Sequence, residues 1–497
     1  MAVMKEANSL QKILLLLAEI IVFAVLAVAA SGQFGVTDGF KITAAYLAAY
    51  LVPCVVLSRA RGTSLTARII LLALLAVLIY VDFTRLELLT RFDGYSLEEP
   101  NLSGDGRQYY KWALNQYDGR IPPVSVVYPG FPILMLVLWK VLGVNMVWPQ
   151  AMNLMFVLTT VVLTGMTTRR LLSGRVKVSP RALLVGGMLL CCLLSYMLII
   201  GTSMLKEGSI CISLAMTGFS ISAMSASDEE RHHLRRDLVI FVLACLLLGM
   251  VRTTYLYFVA MGVVIITLPH WRRDWMLSLG LLSAIGVALL LGNLMASYSF
   301  GRHTEIATGG WNMQRFYVIG ESQQFYHDLL NFYFLRPYWY KMLMLPLTMS
   351  VQFFIPFPWT YYENPSLINV LARLTYGWYV VGGVALFYFM VISWRKGENM
   401  GIWPWWPAMA YAAMACVMAG SVARYVVPIY PLFVPVAMFV LCRLYEGRWR
   451  KQFVWWSVCY VVVVTVVLLL CLEIQQATFS KMLHTQSLTN YLKGLPY

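Results

Sequence analysis

Asp105 lies in the run SGDGRQYYKWALN (103–115), a carboxylate between two glycines at the head of an amphipathic stretch carrying Tyr109, Tyr110 and Trp112. Such a group can take a proton from an attacking hydroxyl, the work of a general base. It can also cap the helix expected over 107–115, since an aspartate at a helix start accepts backbone N–H bonds, and the two roles are compatible. Asp93, Glu98 and Glu99 are its rivals, either as solvated loop charges or as base or metal ligands; they share with it the polar interval 85–124, which holds six acidic residues and the Asp-Gly turns at 105–106 and 118–119. Cations stand where apolar segments end: Lys206 in MLKEG (204–208), Arg252, and Arg424 in ARYVVPIYPLFVPVA (423–437). A charge beside apolar surroundings is costly and marks a functional candidate, here for holding an anion such as a phosphate. The competing reading is that each long side chain reaches out to lipid headgroups. Tyr109, Tyr110 and Tyr425 offer rings and hydroxyls to a polar ligand, although aromatic residues also collect in membrane-interface belts.

What must position these residues is a membrane-embedded bundle. The 497-residue chain is 60% apolar and 12% charged, with a mean hydropathy of +0.69, far from a soluble domain's charged share of about a quarter. Apolar runs predict helices near 13–31, 42–57, 69–84, 148–168, 182–200, 208–224, 238–251, 256–270, 275–294, 376–394, 402–419, 426–443 and 453–472. The fold class is therefore all-α: a polytopic bundle of about 13 transmembrane helices with interfacial helices in two long outside loops. Its parts are three N-terminal helices (1–84), a first outside loop (85–147), central helices (148–294), a second outside loop (295–375), and C-terminal helices with a short tail (376–497). Basic clusters such as Arg169, Arg170, Arg175, Lys177, Arg181 and Arg443, Arg448, Arg450, Lys451 fall on one side of this threading. The positive-inside rule then places the N-terminus in the cytoplasm and both long loops and the C-terminus outside. The segment 127–143 must lie at the interface or re-enter, because a full crossing would put the Arg169–Arg170 cluster on the wrong face. Glu19, inside the first helix, calls for a polar partner on a neighbouring helix. The formal charge of +15 is scattered in short clusters, which fits membrane orientation better than nucleic acid. All nine cysteines fall in apolar runs without ligand-type histidine spacing, against a disulfide framework or a zinc site.

Taken in order, SGDGRQYYKWALN, YPGFPILMLVLWKVLG (128–143), MLKEG, PFPW (356–359) and ARYVVPIYPLFVPVA resemble the motif order of the GT-C superfamily of bacterial polytopic glycosyltransferases, which use polyprenyl-phosphate sugars and include mannosyl- and aminoarabinosyl-transferases. The resemblance implies an inverting glycosyltransferase in a bacterial inner membrane. It would move a sugar from a polyprenyl-phosphate donor to a lipid-linked or cell-envelope glycan on the outer face. It also implies Asp105 as catalytic carboxylate and Arg424 as a ligand of the donor phosphate; Lys206 and Arg252 end neighbouring helices on the same side, where they can converge with Arg424. Two departures stand out: three helices precede the catalytic loop, and no paired Asp-x-Asp or Glu-x-Asp occurs, which leaves a divalent metal open. A polymerase or ligase of lipid-linked oligosaccharides is the alternative within this chemistry. From another class, a lipid or glycan flippase or other transporter would show broken helices and inverted repeats, and the sequence displays neither.

Overall fold

A computed structural model describes residues 2–59, 65–120 apart from 93 and 103, 129–223, 234–267, 271–300, 370–396 apart from 372, 427–447, 451–466 and 469. Among the described residues there is no strand. The elements in chain order are α1 (Ala2–Phe34), α2 (Val36–Ser58), α3 (Leu65–Thr90), α4 (Gly104–Tyr117), α5 (Gly130–Leu142), α6 (Val147–Leu172), α7 (Pro180–Cys192), α8 (Ser195–Gly201), α9 (Glu207–Ser222), α10 (Leu234–Val251), α11 (Thr254–Thr267), α12 (Trp271–Phe300), α13 (Thr375–Lys396), a 3-10 helix (Val427–Phe433) leading into α14 (Val434–Tyr445), and α15 (Lys451–Val466).

Backbone polar groups cannot be left open in a bilayer, so apolar runs of this length become helices. Of the described helices, six are long and apolar enough to cross a membrane, or seven if the bent pair α7–α8 counts as one span. Helices overlap every expected range except 402–419, which lies outside the described residues. Helix α1 is peripheral, with 17% of its apolar window buried and Leu14, Ile20, Ile21, Val25 and Val28 exposed. At the centre is α6, with 83% of its window buried, packed against α2, α7, α9 and α14. Its buried threonines bond back to their own helix, as Thr160 does to the Phe156 carbonyl and Thr164 to that of Thr160, both at 2.8 Å, so they enter the core without an open hydroxyl. Small residues let neighbours close in: a Cβ on Gly208 would lie 2.5 Å from the Gly201 carbonyl oxygen.

Three expectations are corrected. The helix α3 runs on to Thr90, so Arg85 and Glu87 belong to it and the polar connection starts later than residue 85. Asp105 stands inside the first turn of α4 and not ahead of a helix starting at 107. The apolar run 182–200 reads as one helix but is two, α7 and α8, bent by 73°. The expectations for α5 and Glu19 fare differently. At 13 residues α5 reaches about 20 Å, short of a hydrocarbon core of about 30 Å, and it packs on α4, α6 and α10. Glu19 Oε1 accepts from the Tyr50 hydroxyl of α2 and from Arg68 Nη2 of α3, both at 2.7 Å.

The bundle has two distinct ends. At one, Arg170 closes the end of α6 onto Asp237 of α10 at 3.2 Å and donates to the Phe219 carbonyl of α9 at 2.8 Å. Near it, Glu446 after α14 accepts from the Lys177 backbone N–H and from Arg443. The opposite end gathers the starts of α6 and α9, the end of α10, and α4 and α5.

Candidate functional site

The opposite end is built on one turn, Thr202 to Glu207, between the half-helix α8 and α9. Hydroxyls end α8: Thr202 Oγ1 donates to the Ile199 carbonyl at 3.0 Å and Ser203 Oγ to that of Ile200 at 2.5 Å, filling acceptors that the helix itself leaves open. Asn153 of α6, fully enclosed, donates through Nδ2 to the carbonyls of Ser203 at 2.5 Å and Leu205 at 2.9 Å, holding the turn against the central helix. From there α9 starts with Glu207, a buried carboxylate at the positive end of a helix.

Against this turn lies α4. A Cβ on Gly106 would sit 3.3 Å from the Met204 carbonyl oxygen, so the first turn of α4, which carries Asp105, abuts the turn that carries Lys206. Lys206 Nζ stands 5.9 Å from the centroid of the Tyr109 ring, within cation–π range. That ring meets Phe131 of α5 edge-on at 5.8 Å, and Tyr110 meets Trp139 at 4.9 Å. These contacts seat α5, whose Gly130 packs directly on the Met250 backbone, where a Cβ would come within 2.5 Å of the carbonyl. Arg252, 6% exposed, follows two residues later at the end of α10, its guanidinium 5.9 Å from the Tyr255 ring.

Of the residues singled out in the sequence, Asp105, Tyr109, Tyr110, Lys206 and Arg252 therefore come to one end of the bundle. Asp105 is half-buried, and Tyr109 and Tyr110 are buried. Glu98 and Glu99 are exposed on the loop before α4, where the Ser96 hydroxyl accepts both of their backbone N–H groups. The Glu98 carbonyl accepts from the Tyr110 hydroxyl. Burial, and then the Glu98 and Glu99 carboxylates, push the Tyr110 phenol above its ordinary range and keep it a donor. Asp93, Arg424 and Tyr425 lie outside the described residues; the 3-10 helix that follows them packs against α9. No group of three or more His, Cys, Asp or Glu side chains is placed to hold a metal among the described residues.

Sequence reasoning passed over a second polar assembly beneath the turn. Asp82 of α3 is fully enclosed, and Arg85 beside it reaches across to α8. Acidic and basic residues at i and i+3 on an apolar helix were a visible signal; the partner residues, more than a hundred positions on, were not. Asn153 and Glu207, both buried, add polar groups around the start of α9, and Gln150 is buried one turn earlier on α6. Chemically, this end offers a carboxylate at a helix start, two cations at helix ends and aromatic faces between them. That combination suits an anionic headgroup beside a hydroxyl-rich ring. Compared with known proteins, the chain matches no family model, no curated protein and no solved structure.

Proposed function

We propose that this polytopic membrane protein is a glycosyltransferase of GT-C type that moves a sugar from a polyprenyl-phosphate donor to a lipid-linked or cell-envelope glycan acceptor. The observation that carries the reading is the abutment of the Asp105 turn on the Lys206 turn, with Lys206 Nζ within cation–π range of Tyr109, one turn along α4 from Asp105. Lys206 and Arg252, with Arg424 from the sequence, neutralise the donor phosphate as it leaves, and Asp105 takes the proton of the attacking hydroxyl. Tyr109, Tyr110 and Tyr425 are the proposed contacts of the sugar or the acceptor. The reaction inverts the anomeric carbon and runs on the outer face of a bacterial inner membrane, with the N-terminus cytoplasmic and the C-terminus outside. Whether a divalent metal assists is left to the same assay, by adding a chelator. Polymerisation or ligation of lipid-linked oligosaccharides uses the same groups, with a longer acceptor.

The test is turnover by protein in nanodiscs supplied with a polyprenyl-phosphate carrying a labelled sugar and a mixture of lipid-linked glycans. Label leaving the carrier as a new glycoside supports transfer; a carrier that stays intact under all acceptor mixtures contradicts it. A transporter or flippase is the second reading, favoured by the 73° break between α7 and α8 and by the charged pair that meets the far end of α8, since broken helices with buried ionisable residues are how transporters build their sites. In sealed vesicles that reading predicts labelled lipid crossing the bilayer with its sugar bond unbroken.

A further inference from the structure

The charged pair on α3 is lopsided. Arg85 Nη1 stands 3.3 Å from Asp82 Oδ1 on its own helix, yet makes shorter bonds to another element: Nη1 to Thr202 Oγ1 at 2.8 Å and Nη2 to the Ile199 carbonyl at 2.6 Å. Ile199 is in the last turn of α8, a half-helix of seven residues whose terminal carbonyls lack intrahelical donors and form its negative end. Thr202 opens the turn that carries Lys206. One planar guanidinium thus ties α3 both to the end of the broken helix and to the first residue of the site's turn, using the fixed fork of donors that only arginine has. Asp82, enclosed beside it, offsets a charge that a membrane bundle would otherwise exclude.

We infer that Arg85 is a positioning residue: neutralised by Asp82, it fixes the end of α8 and so sets Lys206 against Tyr109. This rests on Lys206 being a phosphate contact, and the placement itself can be read without that assumption.

Two readouts separate the claims, both on full-length protein in nanodiscs. The first is capture of a photoactivatable polyprenyl monophosphate. The second is the rate at which a water-soluble maleimide labels Lys206→Cys, with Lys111→Cys on the exposed side of α4 as control and the unsubstituted chain as background. Replacing both members, Asp82→Leu with Arg85→Met, removes the charges together and leaves no uncompensated one. Arg85→Lys keeps size and charge but not the fork. In both backgrounds position 206 should be labelled several-fold faster while position 111 is unchanged, and lipid capture should weaken about tenfold, as expected for losing one charge-assisted contact. Unchanged labelling at 206 in Arg85→Lys, or in a folded double variant, overturns the positioning role. If Lys206→Ala captures the lipid as well as the unsubstituted protein does, the phosphate reading of Lys206 falls, and the labelling rates alone decide the role of Arg85.

Discussion

Asp105 is the residue on which the proposed chemistry turns, and its place in the first turn of α4 gives it two separable jobs. A carboxylate there favours the helix electrostatically. Asparagine keeps the size of aspartate and loses only its charge at the helix start, so Asp105→Asn should cost folding about 0.3–1 kcal/mol. It cannot accept the acceptor's proton, and transfer should fall by about 10²–10⁴. Turnover measured beside a thermal unfolding curve checks this: near-normal transfer would return Asp105 to a purely structural role and move attention to Glu98, Glu99 or Asp93. At this scale the sequence was informative about Asp105, on a glycine-flanked turn of the polar interval, and about Lys206 and Arg252, where apolar segments end. It could not give the roles of Arg85 and Asn153, because what these residues do depends on the Ile199, Ser203 and Leu205 carbonyls, and a carbonyl leaves no trace in residue identity.

Among the elements, helix α5 shows how close contact makes a glycine indispensable. Gly130 touches the Met250 backbone, which cannot give way, so Gly130→Ala should lift α5 from α10, destabilise the protein and loosen the Phe131–Tyr109 contact. Gly280 in α12 has open space where its Cβ would be, and Gly280→Ala should be neutral or stabilising by up to about 1 kcal/mol, as for a helix-interior glycine. The melting temperature should fall in Gly130→Ala and stay or rise in Gly280→Ala; equal shifts would contradict the packing of α5. Helices themselves were legible, since length and apolarity decide them in a bilayer. The break after α7 was not. Neither proline nor glycine marks Leu193 and Leu194; the start of α8 is met by Thr375 of α13, whose Oγ1 accepts the Tyr196 N–H at 2.7 Å and pairs with Ser195 Oγ at 2.9 Å. A cap contributed from 180 residues away can interrupt a run that local propensity would continue.

For the whole molecule, sidedness is the claim that joins fold to function. Asp118, exposed after α4, and Lys177, exposed between α6 and α7, belong to opposite ends of the bundle. Cysteine placed at 118 should be labelled by an impermeant reagent on intact cells, and cysteine at 177 only after permeabilisation, as the basic clusters around Arg169 and Arg443 require. The reverse pattern would put the Asp105 end in the cytoplasm and end the outer-face reading. The central claim, transfer from a polyprenyl-phosphate sugar, is tested most directly by mass spectrometry of the polyprenyl lipids in cells from which the protein has been removed. The account predicts that a polyprenyl-phosphate monosaccharide accumulates, and that it disappears when the intact gene is restored but persists with Asp105→Asn. An unchanged lipid-linked pool, or one corrected equally well by Asp105→Asn, would contradict it.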